Sequence, residues 1–244
     1  MAIPSPSWFP RVCQTPAWIL LAGLTLGGCG PHTIHGQWDT YRQYQQEQDA
    51  ESIEELRPFC CDAAEPACAP VRRMHGEACL ALAREDLTKQ NLPQARERLD
   101  CAIHWLGRTL EALPQDRPEE TPPLSRQEVF LTWLAAGQLR LEHPSSAKEW
   151  KKGYEDQRER LTLFQREFPG HPEGTLGGAR ADLARVKARF VWETPGPEEC
   201  PALKESLNRL NQLRLRGDSL EAREMAGLVR DISFARNAWL HCAD

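Results

Sequence analysis

Residues 74–105 read MHGEACLALAREDLTKQNLPQARERLDCAIHW, and this stretch decides the fold. Cys79, Leu82, Ala95, Leu99 and Ala102 recur at three- and four-residue spacing, and Lys89-Gln90-Asn91 with Pro93 breaks the pattern in the middle. Two amphipathic helices joined by so short a turn must lie antiparallel. Cys79 and Cys101 stand 11 residues either side of Gln90, at the same height of such a hairpin. A disulfide needs Cα atoms within about 7 Å, a separation that facing positions of a hairpin supply.

The same grammar extends outward. Helices are expected over Val71–Lys89 and Pro93–Leu113, followed by a Pro-rich linker, residues 114–124. Ser125 with Glu128, and Ser146 with Glu149, form capping-box patterns for two further helices. The second of these keeps Trp150, Tyr154, Leu161, Phe164 and Phe168 on one face and stops at Pro169-Gly170. A helix over Thr175–Trp192 follows, then a Pro/Gly linker, residues 193–200. Helices over Pro201–Arg216 and Ser219–His241 close the chain around Gly217-Asp218. No alternating β-branched run and no Asn-Gly hairpin signal is present. The expectation is an all-α fold of stacked antiparallel hairpins, stapled by disulfides.

Composition supports a folded chain in an oxidising compartment. The 244 residues are 41% hydrophobic and carry nine Cys, more than a reduced cytosolic protein usually accumulates. The net charge of -5, without a basic run, provides no footprint for nucleic acid. Cys200 and Cys242 stand 21 residues either side of Glu221 and make a second staple. Cys60, Cys61 and Cys68 share one more bond, Cys61 to Cys68 or Cys60 to Cys68, and leave a spare thiol.

Two resemblances follow from particular residues. Cys79, Leu82, Ala83, Gln90, Leu92, Ala95, Leu99 and Ala102 fall near the positions of the tetratricopeptide-repeat pattern, in one unit from Met74 to Trp105. Phe164 to Leu176 looks like the junction between repeats of periplasmic tetratricopeptide lipoproteins, and Arg216-Gly217-Asp218 with Ala222 looks like an intrarepeat turn. Asp86 departs from the pattern where an aromatic is usual, Gln90 replaces a common Gly, and the helix from Ser146 is long for the period. At the other end, Arg11 precedes an apolar run, Ala17 to Leu26, with the length of a signal-peptide core. Its end, Leu26-Gly27-Gly28-Cys29, resembles a bacterial lipobox. That resemblance implies removal of residues 1–28, lipidation of Cys29 and, with Gly30 in place of an Asp, an outer-membrane address.

The expected organisation is therefore a signal peptide over 1–28, a lipidated tether and Cys-containing loop over 29–70, a tetratricopeptide-like region over 71–192 and a C-terminal hairpin over 193–244. Within the tether, Trp38, Tyr41 and Tyr44 suggest a short helix over 37–48. Cys60, Cys61, Cys68 and His75 lack Cys-x-x-Cys spacing, so no metal is expected, and His104 reads as a packed helix residue. The other His residues read as scattered, solvated positions, and Trp105, Trp133, Trp150 and Trp239 as core or groove residues. Nucleophile elbows, phosphate loops and paired-His metal motifs are missing, which points away from an enzyme and from a cofactor.

Together these readings describe a scaffold or assembly factor held at the membrane by its lipid and binding another envelope protein. By resemblance, its client belongs to secretion, pilus, motility or barrel assembly. The alternative is an accessory lipoprotein that captures a small molecule for a transporter. An enclosed apolar cavity favours the alternative; an open groove favours the scaffold.

Overall fold

The computed structural model describes residues 43, 50, 68–113, 125–215 and 218–242. The expected helix over 37–48, Cys29, Cys60 and Cys61 lie outside these residues, apart from Gln43, which is helical. Seven α-helices follow in order: α1 Ala69–Thr88, α2 Leu92–Ala112, α3 Arg126–Glu142, α4 Ala147–Glu167, α5 Pro172–Trp192, α6 Cys200–Gln212 and α7 Leu220–Phe234. A 3₁₀ turn, Pro197–Glu199, precedes α6, and a π-helical turn, Ala235–Trp239, extends α7. The described residues contain no strand, so the chain is all-α and built from packed helical hairpins.

Each helix packs on the next, and α1, α3, α5 and α7 also touch their odd-numbered neighbours in succession. The result is a stack in which the odd helices form one row. Close packing in α1 and α2 comes from small residues: Ala78, Ala83, Ala95 and Ala102 are all buried. Gly76 is part of this fit, because a Cβ there would stand 2.8 Å from Leu106 Cγ.

Helix ends follow the sequence with one addition. The Ser125 and Ser146 hydroxyls accept from the backbone N–H groups of Glu128 and Glu149, each at 3.3 Å, the N-cap half of the expected boxes. The Glu149 carboxylate accepts from the Ser145 backbone, the Ser145 hydroxyl and Arg140. Helix α5 starts three residues before the expected Thr175, because the Glu173 backbone N–H donates to His171 Nδ1 at 3.2 Å and Pro172 fills the first position. His171, expected to be a solvated position, is a cap, and its ring stands edge-on to Phe164 at 5.2 Å. Helix α6 ends at Gln212 rather than Arg216, and α7 gives way to the π-helical turn before His241.

The core has two parts. One runs through α1 to α4, with Ala181 and Ala184 of α5, and centres on Phe130, which meets Trp133, Phe164 and Phe168 at 5.5, 5.4 and 6.1 Å. The other joins Leu176, Leu183 and Val186 of α5 to Leu203, Leu210, Leu228 and Ile232 of α6 and α7. Arg126 locks the first part: it is buried, donates to the carbonyls of Leu110 and Leu113 at the end of α2, and grips Glu167 of α4 through Nε at 2.7 Å and Nη2 at 3.0 Å. One side chain thus satisfies the open carbonyls of a helix end and clamps three helices together.

The two departures from the repeat pattern have local explanations. Asp86 is buried and accepts from Arg98 Nη1 at 2.8 Å, so an ion pair spans the hairpin where a ring is usual. Gln90 has φ +60°, the left-handed region that Gly adopts without cost.

Candidate functional site

A cleft opens between the start of α4 and the end of α5, with a volume of about 390 Å³. Trp150 and Tyr154, one turn apart, form one wall, while Arg185 and Arg189, also one turn apart, form the other. Antiparallel packing of α4 on α5 brings these two pairs face to face. Glu199, from the 3₁₀ turn, closes the base of the cleft.

A buried polar link sets the position of the aromatic wall. Tyr154 donates its hydroxyl proton to Asp182 Oδ1 at 2.7 Å, and Ser206 donates to Asp182 Oδ2 at 2.7 Å, so one carboxylate ties α4, α5 and α6. Burial, then the neighbouring Asp182 charge, pushes the Tyr154 hydroxyl from 10.0 up to about 12. Tyr154 therefore stays a neutral donor at any physiological pH. The Ser206 hydroxyl is buried and committed to this link, which serves to join helices.

The charged wall is equally fixed. Arg185 stacks over the Tyr154 ring at 5.0 Å and reaches Glu199 Oε2 at 2.5 Å. Arg189 contacts Glu199, Glu198 at 2.9 Å and Glu193 at 3.4 Å. Hydrogen bonding to Glu199 first, and the surrounding carboxylates next, hold Arg189 above its ordinary value. Glu199 is only 2% exposed, so two guanidiniums compensate its desolvation. At the rim, Lys151 lies over Trp150 at 5.7 Å and bonds Glu193 at 2.5 Å, which lowers the Glu193 carboxyl. The indole Nε1 of Trp150 is buried without an acceptor among the described residues. This surface offers two rings, three cations and several carboxylates in set positions, suited to a chain that presents both apolar and charged side chains.

Sequence reading found Trp150 as a core or groove residue but missed the cleft. Its partners come from α5 and the 3₁₀ turn, some 35 to 50 residues away, where the only signal was an Arg pair one turn apart.

The cysteines sort clearly. Cys79 and Cys101 are joined, with Cα atoms 6.0 Å apart, and Cys200 and Cys242 are joined, with Cα atoms 5.7 Å apart. Cys68 is disulfide-bonded to a residue outside those described, and the pairing of Cys61 lies there too. His75 sits with Cys79 and Cys101, its nitrogen within 4.8 Å of their sulfurs, but both sulfurs are committed to the disulfide. His104, expected to be packed, is exposed at the side of Trp105, with ring centroids 4.9 Å apart. The stretch that suggested a buried position, Ile103 to Leu106, turns its Leu106 inward and leaves His104 outside. No described helix is long and apolar enough to cross a membrane. No protein family, curated protein or solved structure matches the chain.

Proposed function

We propose that the chain is a lipid-anchored scaffold of the bacterial outer membrane whose α4–α5 cleft binds a segment of another envelope protein. The observation that carries this reading is the cleft itself, which is open and lined by rings and charges of both signs. Such a wall favours an extended or helical polypeptide over a small apolar ligand, which needs enclosure. The transporter accessory role is correspondingly less well supported. The lipobox-like Leu26-Gly27-Gly28-Cys29 supplies the anchor, and confinement to a surface raises the effective concentration of scaffold near its client. The disulfides fit the oxidising side of that membrane. Secretion, pilus, motility and barrel assembly are the client classes under this proposal.

The test is in-cell crosslinking of the tagged chain followed by mass spectrometry, alongside Cys29→Ala and the cleft-rim variant Lys151→Glu, an exposed position. One dominant envelope protein, lost in both variants while each remains folded, is the expected outcome. Recovery unchanged in Lys151→Glu would remove the cleft from the reading, and outer-membrane retention of Cys29→Ala would remove the anchor.

A further inference from the structure

The ends of α5 and α7 carry the most exposed aromatic surface of the described residues. Phe190 is 44% exposed, Val191 72% and Phe234 57%, and Trp239 lies between the two Phe rings, 5.0 Å from Phe190 and 5.6 Å from Phe234. Three rings from two helices and the π-helical turn thus form one patch, with exposed Val191 next to Phe190 in the chain. The Cys200–Cys242 disulfide holds the turn that carries Trp239. Each helix adds an exposed cation on the same face, one turn before its Phe: Lys187 before Phe190 and Arg230 before Phe234. Asp231 pairs with Arg230 at 3.3 Å, but that Arg side chain is 80% exposed and keeps its other donors open to solvent.

Rings at the tip with cations one turn behind match the layering of a bilayer surface, where aromatic side chains settle at headgroup depth and Lys and Arg meet lipid phosphates. We infer that this patch is a second membrane contact, docking the folded domain on an anionic phospholipid surface. The inference rests on the anchoring of Cys29 proposed above, because the anchor makes a bilayer the nearest large surface. Thirty-eight residues, 30–67, separate Cys29 from Cys68. Even at the helical rise of roughly 1.5 Å per residue, which Gln43 and Ala50 adopt, that many residues span about 57 Å, so the attachment point alone does not fix which face of the domain meets the bilayer. The patch, rather than the tether, then sets the orientation. With the patch seated, the domain faces the membrane with its α7 end.

The experiment uses the mature-length chain, residues 29–244, with Cys29→Ser so that no acyl chain contributes. Co-sedimentation is measured with vesicles of phosphatidylethanolamine and phosphatidylglycerol and, in parallel, with phosphatidylcholine vesicles. The chain is expected to sediment with the anionic vesicles and to do so about tenfold less well after Phe190→Ser/Phe234→Ser, exposed positions whose loss leaves the fold and its circular dichroism intact. Lys187→Glu/Arg230→Glu is expected to weaken binding to the anionic vesicles by a similar factor. No sedimentation of the parent chain, or equal sedimentation of the Phe variant, overturns the inference. A dimer in solution that Phe190→Ser/Phe234→Ser dissociates also overturns it, by giving the patch to a second copy. Fractionation of Cys29→Ala in cells reports the anchor separately, so an anchored chain without vesicle binding refutes the patch alone.

Discussion

The first and last hairpins each carry one disulfide, yet they depend on it differently. In α1–α2 the bond joins facing positions within a pair of helices that already touch along Ala78, Ala83, Ala95 and Ala102. In the last hairpin it ties the first residue of α6 to a point beyond the π-helical turn, and α6 and α7 bury their apolar residues in one cluster shared with α5. The same covalent device reinforces a seam within one hairpin at one end and, at the other, ties down a turn that packs on a core shared with α5. Where two helices share a long seam of small residues, a staple adds to stability; where they do not, it also holds the segment beyond the helix end in place.

The strongest way to break this comparison is Arg126→Ala, which removes the clamp between α2, α3 and α4. Loss of one partner from a buried ion pair costs about 3–5 kcal/mol, here with two helix-end carbonyls left open as well. Denaturant unfolding should show that loss as a lower midpoint. A change below about 1 kcal/mol would show that the first core does not depend on the clamp.

The disulfides come next. By chain entropy, closing loops of 22 and 42 residues contributes about 3 and 4 kcal/mol respectively. Cys79→Ser/Cys101→Ser should lower overall stability while the amide protons of α1 and α2 keep their relative protection. Cys200→Ser/Cys242→Ser should in addition free residues 235–242 and move the Trp239 fluorescence toward that of a solvated ring. Equal local protection in both variants, measured by hydrogen exchange, would erase the distinction between the two ends.

A smaller effect sharpens it through pH. Burial raises the Glu149 carboxyl, but hydrogen bonds from Ser145 and Arg140 outweigh that and leave it below its ordinary 4.5. A carboxylate lowered in the fold contributes stability above the unfolded-state value, here 4.5, and loses it as pH falls through its lower folded-state value. Glu149→Gln should therefore cost about 1 kcal/mol at neutral pH and flatten the acid side of the stability curve below pH 4.5. The smallest effect has the opposite sign: Gln90→Gly relieves the left-handed backbone of the first turn and should raise stability by about 0.5–1 kcal/mol in thermal unfolding.

The helices, their order and the two hairpin staples were legible because they rest on local signals: apolar spacing, Ser-x-x-Glu boxes, Pro-Gly stops and Cys symmetric about a turn. The His171 cap was not, since an imidazole acceptor at a helix start has the same sequence appearance as a solvated His. Asp86 and Gln90 looked like departures from a pattern and proved to be an ion pair and a left-handed turn. The cleft depends on which turn of α4 faces which turn of α5, a matter of helix rotation that periodicity alone leaves open. Trp239 was legible as an apolar residue, but its place between Phe190 and Phe234 required the π-helical turn to be seen.

The central claim is that the α4–α5 cleft receives a polypeptide at the membrane. A photoreactive side chain at Glu155, on the exposed rim of the cleft, tests it most directly, with the same probe at Glu97 of α2 as the control. Illumination of cells is expected to join the Glu155 probe, and not the Glu97 probe, to one envelope protein, and Lys151→Glu is expected to abolish the adduct. Identical adducts at both positions, or none at Glu155 in cells where the lipidated chain is in the outer membrane, would contradict it.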